Sequence, residues 1–185
     1  ALPEDLRRAY RYGDWDIFPG QYFKEWRRAQ HVTERPVSPA WMGRFRCLDW
    51  GYNKPGVCLW IVCLPDGRLY LEDEYVFRET IAKDVAAEIK RRTQQRGIRV
   101  RYTAADPSMW IRDGQSGESI AETFGRAGVP LVRANHDRVN GWQRLRHWLR
   151  PAPDGAPWLQ VHPSCAYLIR TLPAQMQDDH QLEDV

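Results

Sequence analysis

Two acids carry the chemistry that this 185-residue chain could perform. Asp49 closes the apolar run "RFRCLDW" and Asp106 follows "IRVRYTAA" directly. Each taken alone has an ordinary explanation: Asp49 as a strand-ending turn residue, Asp106 before Pro107 as the acid of an Asx turn. Placed at the carboxyl ends of two neighbouring parallel strands, they would do more. Two carboxylates held close repel unless a cation lies between them. Hard oxygen donors favour Mg²⁺ or Mn²⁺ over zinc. Two such ions, about 4 Å apart, would clamp the attacking and leaving oxygens of a phosphodiester.

The elements needed for that placement are legible. "RFRCLDW" reads as a first strand, and "VCLWIVCL" as a strand covered on both faces. "PDG" at 65–67 is a tight turn, so the alternating "RLYLEDEYV" pairs antiparallel as a third strand. "TIAKDVAAEIKRRTQQRG" is an amphipathic helix with Ile81, Val85 and Ile89 on its stripe and Gly97 as its stop. "IRVRYTAAD" is a fourth strand with Ile98, Val100, Tyr102 and Ala104 on one face. "GESIAETFGRAG" is a helix and "VPLVRA" a short fifth strand. "DRVNGWQRLRHWLR" is a helix capped by Asp137 with Val139, Trp142, Leu145 and Leu149 inward. "PWLQVH" and "SCAYLIRTL" add a strand and a helix. The order predicts an α/β fold of the ribonuclease H-like kind: a three-strand antiparallel meander extended by parallel strands into a mixed sheet, with helices on both faces. The first and fourth strands would then be parallel neighbours, with both acids at the switch point where sites form in open α/β sheets.

Residues 1–43 differ. They read as an arm or linker, with helical fragments at "PEDLRRAY" and "GQYFKEWRRAQ" and an extended connector at "TERPVSPAW". The domain proper would be 44–185.

Composition adds less. The formal net charge is +3, but 23 Arg stand against 4 Lys, with nine Trp. Arg suits phosphate and aromatic faces; an Arg-rich solvated rim explains the same count. Cys47, Cys58, Cys63 and Cys165 show no zinc spacing; the three in apolar strand-like runs, Cys47, Cys58 and Cys63, read as small buried hydrophobes of a reduced protein. No run is long and apolar enough for a membrane span, and no signal-peptide pattern is present. Arg138, Arg144, Arg146 and Arg150 line one helix and are candidates for DNA phosphates or for a solvated face. The acids of "EDE" at 72–74 sit mid-strand, with Glu72 and Glu74 on one face and Asp73 on the other, and are assigned to structure or solvent. His136 lies near the acid edge and could approach a substrate; His31, His147 and His162 are assigned nothing.

"LDWGYNKPGVCLWIV", "DGRLYLEDEYVFRET", "ADPSMWIRDGQSGESIAETFGRAGVPLVRANHDRVNGWQRLRHWL" and "VHPSCAYLIRTLPAQMQDD" together resemble the nuclease domain of the large terminase subunit of tailed bacteriophages. "GDWDIFPGQYFKEWRRAQHV" is similar to that family's linker between ATPase motor and nuclease. The resemblance implies metal-dependent endonuclease cleavage of concatemeric double-stranded DNA during genome packaging in the host cytoplasm. It also implies two Mg²⁺ or Mn²⁺ ions on Asp49 and Asp106, and the portal, the small terminase subunit and the ATPase domain as partners. The family's third acid is expected beyond Val185, with Glu183 or Asp184 a poor substitute. The chain has no GxxxxGK[ST] loop, so ATP hydrolysis by that motif is not expected of it. Two other readings stay open: a ribonuclease H-like nuclease acting on junctions or RNA–DNA hybrids, and a non-catalytic DNA-binding or portal-docking module.

Overall fold

The computed structural model describes residues 20–34, 39, 41–114 and 117–177. The "PEDLRRAY" fragment, most of the connector at 35–40, and Glu183 and Asp184 lie outside them. In chain order the elements are α1 (Arg28–His31), β1 (Arg44–Asp49), β2 (Gly56–Cys63), β3 (Leu69–Phe77), α2 (Ala82–Gln95), β4 (Thr103–Ala105), a 3₁₀ turn (Pro107–Trp110), α3 (Ile120–Arg126), β5 (Val132–Arg133), α4 (Arg138–Leu149), β6 (Leu159–Val161) and α5 (Ala166–Thr171). The chain divides into two compact units, 1–34 with 137–185, and 35–136.

In the 35–136 unit five strands lie in the order β5-β4-β1-β2-β3. β1, β2 and β3 form the antiparallel meander, and β4 and β5 add in parallel beside β1. This is the mixed sheet of the ribonuclease H-like class. Side chains alternate across each strand. One face of β1 and β2 therefore places Leu48, Cys58 and Trp60 in the core, against Val85, Ala86 and Ile89 of α2 and Ala121 and Phe124 of α3. The opposite face carries Cys47, Val57 and Leu59, which line an open pocket.

Local chemistry sets the element ends. Gly67 takes φ +88° in the β2–β3 turn, where Asp66 accepts from the Arg68 backbone N–H at 3.1 Å. α3 starts with a reciprocal capping box between Ser119 and Glu122, satisfying two N–H groups that the helix cannot.

Several expectations are corrected here. Ile81 is the N-cap of α2 and 56% exposed, so the buried stripe is Val85, Ala86 and Ile89. The fourth strand shrinks to three residues. Ile98 and Val100 pack on the core, but the alternation breaks at Arg101–Tyr102: Thr103 and Ala105 are buried, whereas Tyr102 is exposed and stacks on Phe45 at 5.4 Å. A register shift pairs Trp60 with Asp73 and Ile61 with Leu71, leaving Glu72 as the extra residue of a bulge. Glu72 and Asp73 consequently both reach Arg96, at 3.6 and 3.0 Å. Glu72 also takes Arg44 in a buried two-pronged pair at 2.8 and 3.1 Å. Structure explains these two acids, as the sequence led us to expect, though by a bulge and not by plain alternation. Cys63 is exposed, and Cys47 only half-buried.

In the other unit, "GQYFKEWRRAQ" supplies only three of the four residues of α1, the rest being turn, bend and irregular chain with a single bridge at Gln21. What organises this segment is aromatic burial. Phe23 and Trp26 are fully buried, Trp26 stacks on His31 at 4.8 Å, and His31 Nε2 donates to the Leu149 carbonyl at 3.0 Å. Burial holds the His31 imidazole below its ordinary pKa, against the pull of its backbone partners. Phe23 meets Trp142 edge-on at 5.7 Å. Asp137 caps α4 as expected, accepting from the Asn140 N–H at 3.3 Å.

Candidate active site at the carboxyl edge of the sheet

β1 and β4 run parallel with Arg46 opposite Thr103, Cys47 opposite Ala104 and Leu48 opposite Ala105. One residue further along each strand come Asp49 and Asp106. The strands thus deliver both acids to the same edge, and both line a pocket of about 190 Å³ with Cys47, Val57, Leu59 and Ala134.

Asp49 stays open because the chain after it turns tightly away. A Cβ on Gly51 would clash with the Lys54 carbonyl and lie 2.9 Å from the Gly56 nitrogen. One on Gly56 would strike the Phe77 ring and lie 2.7 Å from the Gly51 nitrogen. Backbone packs directly on backbone here, which only glycine permits. The β1–β2 turn folds back on itself and leaves the Asp49 carboxylate exposed.

Asp106 is held differently. It is the N-cap of the 3₁₀ turn, and its Oδ1 accepts the Ser108 N–H at 2.7 Å. The Asx turn of the structural reading is therefore present, and it fixes the carboxylate with one oxygen engaged.

The environments push the two acids apart. Asp49 is raised above the usual carboxylate range, first by burial of its surroundings and then by the charge of Asp106. Asp106 is lowered by the hydrogen bonds from Ser108 and, more weakly, by His136. His136 is exposed and follows β5, whose register sets Arg133 opposite Ala105, with the Ala134 N–H donating to the Ala105 carbonyl at 2.8 Å.

The donor set fits a hard divalent cation. Two adjacent carboxylates raise one another's cost of ionisation, which a cation between them relieves. Mg²⁺ is commonly held by one or two carboxylates, with water and substrate phosphate completing the octahedron. Among the described residues no group of three or more His, Cys, Asp or Glu is placed to hold a metal ion, so the protein donors at this edge are the two carboxylates.

The arginines proposed from α4 have mixed surroundings. Arg138 and Arg144 are exposed. Arg146 is committed to Glu25 at 2.9 Å and lies over the Tyr22 ring at 5.5 Å, giving it a structural role that its helical spacing did not reveal. Sequence reading missed Ser108 as the group that orients Asp106. It also passed over Arg133, a basic residue that ends the two-residue β5.

No family model matches this sequence, and no curated protein does. Solved structures do match. The large terminase of a thermophilic bacteriophage, in complex with ADP, superposes with a TM-score of 0.72 at 15% identity, over 89% of this chain and 39% of that one. The chain thus spans well under half the length of that protein. The P22 large terminase nuclease domain gives 0.68 at 15% identity, covering 88% of this chain and 82% of that domain. The large terminase nuclease of thermophilic phage G20c with bound cobalt gives 0.58 at 11% identity, covering 88% and 85%. At these identities the fold is what is shared: it is the fold of large-terminase nuclease domains.

Proposed function

We propose that this chain, built on the fold of large-terminase nuclease domains, is a metal-dependent endonuclease that cuts double-stranded viral DNA during packaging. The observation that carries the reading is the β1–β4 register, which sets Asp49 and Asp106 side by side at an open sheet edge. The cobalt held by the G20c nuclease accords with a divalent ion. We expect two ions, Mg²⁺ or Mn²⁺, and residues 44–185 as the nuclease domain. The ATPase domain of the same subunit, the portal and the small terminase subunit are its expected partners, and the host cytoplasm its place of action.

Asp49 and Asp106 would hold the metal. When bound, a divalent ion supplies activation of the attacking water and stabilisation of the leaving 3′ oxygen. The chain's own groups prepare that chemistry. Asp106 stays ionised because Ser108 bonds its carboxylate. Asp49, with a carboxylate more costly to ionise, is the acid whose charge a cation most relieves. The tight Gly51–Gly56 turn keeps the edge open to a phosphodiester.

Competition of supercoiled plasmid cleavage by linear duplex, four-way junction and RNA–DNA hybrid tests the substrate. Duplex competing as well as or better than the others supports the proposal. Preference for junction or hybrid moves the assignment to another nuclease of this fold.

A further inference from the structure

Arginines in the 35–136 unit are mostly neutralised. Arg44 faces Glu72, Arg96 faces Asp73, Arg112 faces Glu122 and Arg126 faces Glu118. Arg133, like Arg99 and Arg101, lies outside that pattern, and unlike them it ends the strand that borders Asp106. It is exposed, and among the described residues no carboxylate pairs with it. Its guanidinium carbon lies 5.2 Å from the centroid of the Trp110 ring. Both partners belong to the acid edge: Arg133 is the register partner of Ala105, which precedes Asp106, and Trp110 ends the turn that Asp106 caps.

A cation–π contact draws on the charge of the guanidinium and on none of its N–H groups. Its five N–H donors stay available to match the paired oxygens of a phosphate. Trp110 is itself packed on the hydrophobic core, so the platform is rigid.

We propose that Arg133, seated on Trp110, grips a backbone phosphate of DNA lying across the Asp49–Asp106 edge. The assignment rests on the nuclease reading only in taking DNA as the ligand, and binding can be measured without cleavage.

The test is affinity for a fluorescent duplex in EDTA, followed from 50 to 200 mM NaCl, for the wild-type chain, Arg133→Gln and Arg133→Lys, with thermal unfolding to confirm that each variant folds. Loss of one phosphate contact lowers the slope of log affinity against log salt by about 0.9. For Arg133→Gln that narrows the loss of affinity over this range by about threefold relative to wild type. Arg133→Lys, which keeps the charge, should retain the slope while binding more weakly. An unchanged slope and affinity in Arg133→Gln overturns the proposal, and so does absence of duplex binding by the wild-type chain. Plasmid cleavage measured alongside separates the two claims. A reduced slope in a chain that never cuts keeps the Arg133 contact and removes the nuclease; normal cutting with an unchanged slope does the reverse.

Discussion

Leu48 on β1 stands opposite Ala105 on β4 in a parallel pair. That backbone register, and no side-chain contact, makes neighbours of Asp49 and Asp106, which are 57 positions apart in the sequence. Because side chains alternate, a slip of one residue would turn one acid to the other face. The core residues Leu48 and Ala105 therefore set the site as much as the acids do.

The β1–β2 turn is the first place where this arrangement can be broken. In Gly56→Ala the added Cβ meets the Phe77 ring and the Gly51 backbone. Overpacking of this kind costs about 1–3 kcal/mol. Urea unfolding should show that loss, and cleavage should fall with it because the turn no longer clears Asp49. Wild-type stability in Gly56→Ala would mean that the turn relaxes freely.

Glu72 offers a test of what holds the meander. Its carboxylate and the Arg44 guanidinium are both almost completely buried. Removing one partner of such a pair leaves a buried charge and costs about 3–5 kcal/mol. Glu72→Ala should lose that much in denaturant unfolding. A loss below about 1 kcal/mol would show that water reaches Arg44.

Glu88 predicts a pH dependence. Hydrogen bonds from Arg91 and Arg92, at 2.6 and 2.8 Å, depress its pKa to about 2. A depressed folded pKa stabilises above the unfolded value, about 4.3, and the contribution is lost as pH falls through the folded one. The pair sits at the surface, with the Arg91 side chain 52% and that of Glu88 25% exposed, so solvent screening keeps the effect under about 1 kcal/mol. Glu88→Gln should be slightly less stable than wild type at pH 7, and the gap should close as pH falls from about 4.3 to about 2. A gap that persists at pH 2 would point to packing of the side chain, not charge.

The elements that sequence reading located well are those with strong local signals. β2 is a continuous apolar run, β3 follows a turn that needs Gly67, and α4 begins on its Asp137 cap. The misplacements arise where tertiary geometry overrides local pattern. No local feature announces that the strand opposite Trp60 carries an extra residue, so the bulge at Glu72 was invisible. "GQYFKEWRRAQ" has helical composition, yet burying Phe23 and Trp26 governs its path and leaves only three of its residues in a helix. In the site, Asp49 and Asp106 were legible because each ends a strand, and topology alone predicts that those strands adjoin. Arg133 was not, because its meaning depends on Trp110 beneath it, a contact that no sequence spacing announces.

The central claim is that the two acids form a metal-dependent nuclease, and plasmid cleavage by the wild-type chain and Asp49→Asn, with Mn²⁺, Mg²⁺ or EDTA, tests it most directly. The account predicts nicking and linearisation by the wild-type chain with metal, none in EDTA, and none by Asp49→Asn, which should unfold no earlier than wild type because the amide removes a carboxylate that burial and the Asp106 charge make costly to ionise. Cleavage by Asp49→Asn at the wild-type rate, or cleavage that survives EDTA, would contradict it.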